Sequence, residues 1–252
     1  MDFVRSAHAQ PPSRATSTRR GRNTFETGKP RLTKLGGKPW NLEKAFVKAS
    51  GVSEVESGEF VAVTGPSGCG KSTLLHMIGG LSRPSAGSVF IRGKSLYQRT
   101  QHGLALYRRR HVGIVYQFYN LVPELTAREN LILPALMDGR RVDEEWVEEI
   151  LEILGMEDKR DSYPGRLSGG QQQKIAVGRA LVNRPPLLLA DEPTGNLDSE
   201  KRDELLGLFY DLNRQEGMTV ILVTHDDYIA ETAMRNVRMI DGRIVEDEVN
   251  GG

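Results

Sequence analysis

The 252-residue chain carries 34 Lys and Arg against 33 Asp and Glu, a net charge of +1, which excludes a strong overall pull toward nucleic acid or acidic lipid. Its one cysteine, Cys69, excludes a disulfide framework within the chain and a multi-cysteine metal site, and fits a reducing compartment. No apolar run approaches the roughly 18 residues that span a bilayer, and the N-terminus lacks the apolar core of a signal peptide, so a soluble protein is expected. The length allows one large α/β domain or two small ones.

Residues 1–38 hold nine Lys/Arg and two Asp/Glu, a net of +7 that leaves −6 for the rest. Rich in Arg, Ser, Thr, Pro and Gly, they read as a basic, disordered extension. A lipid- or RNA-touching arm and an organelle leader are the alternative readings. Ordered structure is expected from about residue 39, near Trp40. Val52–Glu56 reads as a strand, and Glu59–Thr64 as a buried parallel strand.

That second strand runs into Gly65-Pro66-Ser67-Gly68-Cys69-Gly70-Lys71-Ser72, which fits the phosphate-binding pattern G-x-x-x-x-G-K-[ST]. Thr73 follows in a helix that stops at Gly79-Gly80. The glycines let successive N–H groups point inward as an anion nest, and the helix N-terminus adds partial positive charge there. Lys71 would reach the β- and γ-phosphates of a nucleotide, and the Ser72 hydroxyl would ligate Mg²⁺. A bulky adduct on Cys69 is expected to project at the phosphates and block ATP binding.

Beyond the loop, Ser88–Ile91 and Val112–Val115 read as strands, the latter leading to Tyr116-Gln117-Phe118. The middle of the chain turns helical. Thr126 caps a helix that Pro134 should break. Asp143 caps another, with Val147, Ile150, Leu151 and Leu154 at helical spacing and Gly155 as its stop. Next come Leu167-Ser168-Gly169-Gly170-Gln171 and a helix from about Gln172 to Leu181. The strand Leu187–Ala190 ends in Asp191-Glu192. Asp198 or Ser199 caps a helix ending at Gly217. Thr219–Val223 is a strand followed by Thr224-His225-Asp226, and a hairpin around Asp241-Gly242 closes the chain. Alternating helices and continuously apolar strands argue for a parallel sheet covered on both faces. Ligands of such sheets sit beyond the carboxyl ends of the strands, where Lys71, Gln117, Asp191, Glu192 and His225 all fall.

Taken in order, the P-loop, Tyr116-Gln117-Phe118, Leu167-Ser168-Gly169-Gly170-Gln171, Asp191-Glu192-Pro193, Gly195-Asn196-Leu197-Asp198 and Thr224-His225-Asp226 resemble the ATP-binding cassette (ABC) ATPases over about residues 52–245. Gly195–Asp198 and Asn120–Thr126 resemble the branch holding the lipoprotein-releasing, macrolide-exporting and cell-division cassettes. The resemblance implies an α/β P-loop NTPase of ABC type over 39–252. Its mainly parallel sheet would be covered by helices, with an antiparallel β edge and a helical subdomain at about 119–182 carrying the signature.

It also implies roles. Ser72, Gln117 and Asp191 would hold Mg²⁺; Glu192 would orient the attacking water; His225 would contact the γ-phosphate. Trp40, or else Phe46, would stack on adenine, although Lys34–Gly51 matches the family poorly and the first strand looks one residue short. Leu167–Gln171 would bind the ATP of a second copy, with Asn196 and Asp198 at the interface of a head-to-tail homodimer. The implied activity is ATP hydrolysis driving a separate integral membrane permease in export or extraction, at the cytoplasmic face of the bacterial inner membrane, with no nucleic-acid partner. A cell-division-type cassette that regulates a membrane partner without transport is the alternative.

Overall fold

The computed structural model describes residues 45–48 and 52–250. In chain order, β1 (Ala45–Lys48) and β2 (Val52–Val55) lead to β3 (Phe60–Thr64), α1 (Lys71–Ile78), β4 (Ser88–Ile91), β5 (Lys94–Ser95), α2 (Gln101–His111) and β6 (Val112–Val115). The helices α3 (Ala127–Met137), α4 (Glu144–Leu154) and α5 (Gly169–Leu181) follow together. The chain then alternates through β7 (Leu187–Asp191), α6 (Ser199–Glu216), β8 (Thr219–Val223) and α7 (Asp227–Thr232), and ends in the hairpin β9 (Arg235–Ile240) and β10 (Arg243–Val249).

The larger sheet has six strands in the order β10-β9-β3-β8-β7-β6. All its neighbours are parallel except the β9–β10 hairpin. A second, antiparallel sheet of four strands, β2-β1-β4-β5, is separate from it. In that sheet β1 pairs with both β2 and β4, placing position 46 opposite Glu54 and Phe90. The strand expected at Val52 is therefore the second of the described strands and forms a hairpin with β1.

Side chains alternate across the parallel sheet, as the pleat requires. Phe60, Ala62, Leu188, Ala190, Val220 and Leu222 face one buried cluster, filled from α3 to α7 by residues such as Leu131, Ile150, Ile175, Phe209 and Ile229. Val61, Val63, Leu187, Leu189, Ile221 and Val223 face the other, against α1, α2 and the antiparallel sheet. Each fully buried Leu, Ile or Phe contributes about 1.5–3 kcal/mol. The strands are thus apolar on both faces, and helices cover both. In the register Val63 and Asp191 both align with Val223. The chain accordingly leaves β3, β7 and β8 at one common edge.

Two helical expectations need correction, and one helix, α2, was not expected. Pro134 does not end α3, which continues to Met137. Pro134 lies in the last turns, where one missing N–H costs little beside the burial of Leu131 and Ala135 against α5. The helix expected from Gln172 begins at Gly169, because Ser168 and Gln171 form a reciprocal capping box. Helix α2 carries no periodic apolar stripe: only Leu104 and Tyr107 are buried in a segment dense in Arg and His.

The helical layer is closely packed. A Cβ at Gly178 would lie 2.9–3.0 Å from side chains of Leu131, Leu154 and Ile150, so glycine lets α3, α4 and α5 approach one another. Trp146 Nε1 donates to the Val182 carbonyl at 3.1 Å, tying α4 to the end of α5.

Candidate functional site

The loop between β3 and α1 is shaped by glycine. Gly65, Gly68 and Gly70 have φ of +141°, +79° and +101°. At Gly65 a Cβ would sit 2.1 Å from the Met239 carbonyl oxygen of β9, so no larger residue fits without moving backbone. The loop is also tied to the hairpin, where Gly242 N donates to the Cys69 carbonyl at 2.8 Å. Every other α-helix among the described residues has a side-chain N-cap: Thr100, Thr126, Asp143, Ser168, Asp198 and Asp226. Helix α1 has none, since its cap is the left-handed Gly70. Its first N–H groups and its dipole are therefore presented to the loop, which suits an anion.

Lys71 is 5% exposed, and its Nζ donates to the carbonyls of Gly65 and Pro66 at 2.8 and 3.1 Å. This places the ammonium against the loop. Pro66, Ser67 and Gly68 are exposed at the loop's crest, as are Ser72 and Thr73 at the start of α1. Cys69 departs from expectation. It is 4% exposed and belongs to the apolar cluster under the sheet, so its thiol points into the core rather than at the loop's mouth.

Two pairs of polar groups stand beside the loop. Ser72 Oγ donates to Asp191 Oδ1 at 2.9 Å. A hydroxyl and a carboxylate in contact are hard oxygen donors, and together they fit Mg²⁺, which uses few protein oxygens. The second pair is Glu192 Oε2 with His225 Nδ1, also at 2.9 Å. Adjacent strand residues would point to opposite faces, but Glu192 leaves the strand with φ +46°. Its N–H still bonds the Val223 carbonyl, and its own carbonyl accepts from Gly195 N. This left-handed turn brings its carboxylate to the end of β8.

Gln117 lies just beyond β6. Its carbonyl accepts from Asn196 Nδ2 at 3.2 Å, and its side-chain amide lies against Gly195. No hydrogen bond among the described residues joins its side chain to the Ser72–Asp191 pair. Burial pushes the neighbouring Tyr116 hydroxyl above its usual pKa. Asp198 caps α6 and pairs with Lys201, whose hydrogen bonds hold its carboxyl below the usual range. Asn196 and Asp198 are both exposed.

The Leu167–Gln171 segment stands apart from the P-loop, with no hydrogen bond between them among the described residues. Leu167 is buried; Ser168 is exposed at the N-terminus of α5. Cβ atoms at Gly169 and Gly170 would fall 2.7 Å from the Tyr119 hydroxyl and from Lys201 Cδ. Trp40 lies outside the described residues, as do the side chain of Phe46 and the basic extension.

Several residues that shape the site were missed in the sequence. Arg179 of α5 donates to the carbonyls of Tyr119 and Asn120 at 2.8 and 2.6 Å and so fixes the loop after Gln117. Burial lowers its pKa. Asn130, fully buried, bonds Val122 N and O and the carbonyls of Leu125 and Thr126. The only signal for either was a polar residue at a core-facing helical position.

Comparison with known proteins agrees with this geometry. The family described as ABC transporter matches residues 52–195, more than half of the chain. The chain is 44% identical to the lipoprotein-releasing system ATP-binding protein LolD 1 of Chlorobium chlorochromatii, over 77% of this chain and 80% of that one. It is 46% identical to the macrolide export ATP-binding/permease protein MacB of Rhodopirellula baltica, over 77% of this chain and 29% of that one. Among solved structures, the ATP-binding cassette MJ0796, a dimer in a post-hydrolysis state with ADP and Pi, superposes with a TM-score of 0.74 at 37% identity, covering 84% of this chain and 97% of that one. Among the described residues no helix is long and apolar enough to cross a membrane. The chain belongs to the ABC transporter family, as an ATP-binding cassette of the LolD/MacB kind.

Proposed function

We propose that the protein is the ATP-hydrolysing subunit of an export or extraction complex, acting as a homodimer on a separate membrane permease at the cytoplasmic face of the bacterial inner membrane. The observation that carries this reading is the meeting, at one sheet edge, of the uncapped α1 loop, the Ser72–Asp191 pair and the Glu192–His225 pair. Phosphoryl transfer needs positioning and charge neutralisation, which such an edge supplies.

The residues divide the work. Loop N–H groups from Gly65 to Thr73, other than at Pro66, and the Lys71 ammonium bind the phosphates. Ser72, Asp191 and Gln117 would hold Mg²⁺, which neutralises charge on the phosphate oxygens when bound. Glu192 orients and polarises the attacking water, and His225 fixes the Glu192 carboxylate while facing the γ-phosphate. Ser168, Gly169 and Gly170 offer a second anion site that a single chain does not bring to its own P-loop. This favours a head-to-tail pair in which each copy completes the other's site, with Asn196 and Asp198 at the seam. The names of the relatives, which include lipoprotein release and a fused export permease, support the export branch.

The test uses Glu192→Gln, which should lower turnover about 10²–10³-fold, or roughly 3–4 kcal/mol of barrier, while ATP still binds. Unchanged turnover refutes the role given to Glu192. The same variant, captured from native membranes with ATP and Mg²⁺, should carry a permease with it only when ATP is present. Co-purification of cell-division proteins instead would replace transport with regulation, and nucleic acid in place of a membrane protein would overturn both.

A further inference from the structure

Gln173 is the odd residue in the signature helix. It lies on α5 two positions past Gln171, among Ile175, Ala176 and Val177, and is 1% exposed. Its Nε2 donates to the Pro193 carbonyl at 2.9 Å. Its Oε1 is buried and has no hydrogen-bond partner among the described residues. The orientation of the amide is set by its partner, because a carbonyl can only accept. A buried amide left half-satisfied is less favourable than an apolar side chain, so its packing does not explain it. What it supplies is one donor.

The acceptor identifies what that donor does. Pro193 follows Glu192, is buried, and has no N–H with which to hold its own turn. Glu192 itself sits at φ +46°, a conformation an ordinary side chain keeps only when its surroundings impose it. Among the described residues Glu192 makes three hydrogen bonds of its own: Glu192 N to Val223 O, Gly195 N to Glu192 O, and His225 Nδ1 with Glu192 Oε2. All three come from the turn itself or from β8 and the loop after it. Among the described residues, the hydrogen bond from Gln173 is the one that ties the turn to α5, whose N-terminus carries Ser168, Gly169 and Gly170.

We propose that Gln173 is a positioning residue that holds the Glu192 turn from the signature helix, so that the hydrolytic carboxylate is aligned through the element that reads the partner's nucleotide. The inference rests on the roles given above to Glu192 and to the signature segment. Gln173 touches neither nucleotide nor water.

The experiment is a double-mutant cycle with Gln173→Met, which keeps the length of the side chain and removes both the donor and the unpaired oxygen. Gln173→Leu serves as a second variant with the same loss, and thermal unfolding monitors the fold of each. In the full chain, Gln173→Met should lower kcat about fivefold to tenfold, the worth of one hydrogen bond realised in the transition state. Binding of a fluorescent ATP analogue should stay within about twofold, since the P-loop is untouched. In the Glu192→Gln background the same substitution should cost less than about twofold further, because Gln173 acts through Glu192. Equal losses in both backgrounds, or unchanged kcat in both Met and Leu variants that melt normally, overturn the proposal. If Glu192→Gln by itself leaves turnover intact, the fault lies with the role of Glu192 instead.

Discussion

Asp138 offers a test of what joins the helical layer to the rest of the protein. It caps the end of α3, and its carboxylate side chain is 1% exposed. Arg110 Nε, from α2, bonds Oδ2 at 2.9 Å and Oδ1 at 3.1 Å; Arg140 Nε lies 2.6 Å from Oδ2; Arg109 Nε is 3.9 Å from Oδ1. Arg109 also donates to the Met137 carbonyl. Replacing Asp138 with Asn removes the carboxylate that the three arginines share and leaves them facing a neutral amide. The arginines at hydrogen-bonding distance are 41% and 49% exposed, so solvent screens them, and each bond merits the low end of the charged range, about 1.5 kcal/mol. Arg109, at 3.9 Å, adds little. Two such bonds come to about 3 kcal/mol, and the Asn oxygen keeps one bond to a guanidinium, weakened by loss of the carboxylate charge to about 1 kcal/mol. The expected loss is therefore about 2 kcal/mol. For a chain of this size that is a fall in Tm of about 4–8 °C. Urea unfolding gives the free energy directly, and Arg110→Ala in a double-mutant cycle isolates the pair. A loss below about 0.5 kcal/mol with an unchanged urea slope would refute the reasoning, as would full additivity with Arg110→Ala.

The remaining expectations concern the loop, a histidine and the thiol. Gly65→Ala should weaken ATP binding more than tenfold, because its Cβ meets the Met239 carbonyl at 2.1 Å and φ is +141°; titration with a fluorescent nucleotide measures it, and wild-type affinity would contradict it. Burial, reinforced by Arg92, Arg99, Arg110 and Arg140, lowers the pKa of His111 below its ordinary 6.5. The folded state then binds fewer protons than the unfolded chain, so stability is full above about pH 6.5 and falls as pH drops below it through the folded-state value. His111→Gln should flatten this part of a urea-midpoint profile above the carboxylate range. Cys69 should react with a bulky maleimide at least tenfold more slowly in the native protein than in denaturant, since the thiol must first leave the apolar cluster; equal rates would place it on the surface.

The parts legible in the sequence were those where one local rule settles the matter. The strand-loop-helix from Phe60 to Ile78 follows from continuous apolarity, glycines that permit positive φ, and a helix stop. The caps at Thr126 and Asp143 were legible for the same reason, and the third was narrowed to Asp198 or Ser199, of which Asp198 is the cap. Where two rules compete, the local reading gave way. Pro134 breaks isolated helices, yet packing of Leu131 and Ala135 on α5 carries α3 past it. Gly169 and Gly170 disfavour helix, yet the Ser168–Gln171 capping box starts α5 there. Helix α2 has only two buried positions, too few to mark a period. Cys69, Arg179 and Gln173 were misread or passed over because what decides them lies elsewhere in the chain: the sheet core for the first, Tyr119 and Asn120 for the second, Pro193 for the third.

Glu192 shows why that third class of residue gathers around this site. A strand delivers its side chains alternately, so two neighbouring residues cannot both serve one edge without a departure from the pleat. Asp191 is still in the strand and reaches Ser72 on α1. For Glu192 to reach His225, at the end of β8, the backbone takes a left-handed turn that costs on the order of 1–3 kcal/mol for a residue with a side chain. Glycine would avoid that cost but would carry no carboxylate. The turn is therefore unfavourable where the proposed chemistry needs a carboxylate, and it must be held from outside. The holders are a strand carbonyl, a histidine, and an otherwise wasteful buried amide on α5. Each is plain once the strained residue is located. Only the histidine was suggested by its own stretch of sequence, and then for the γ-phosphate; the grip on Glu192 was not, because the strain it opposes belongs to another stretch.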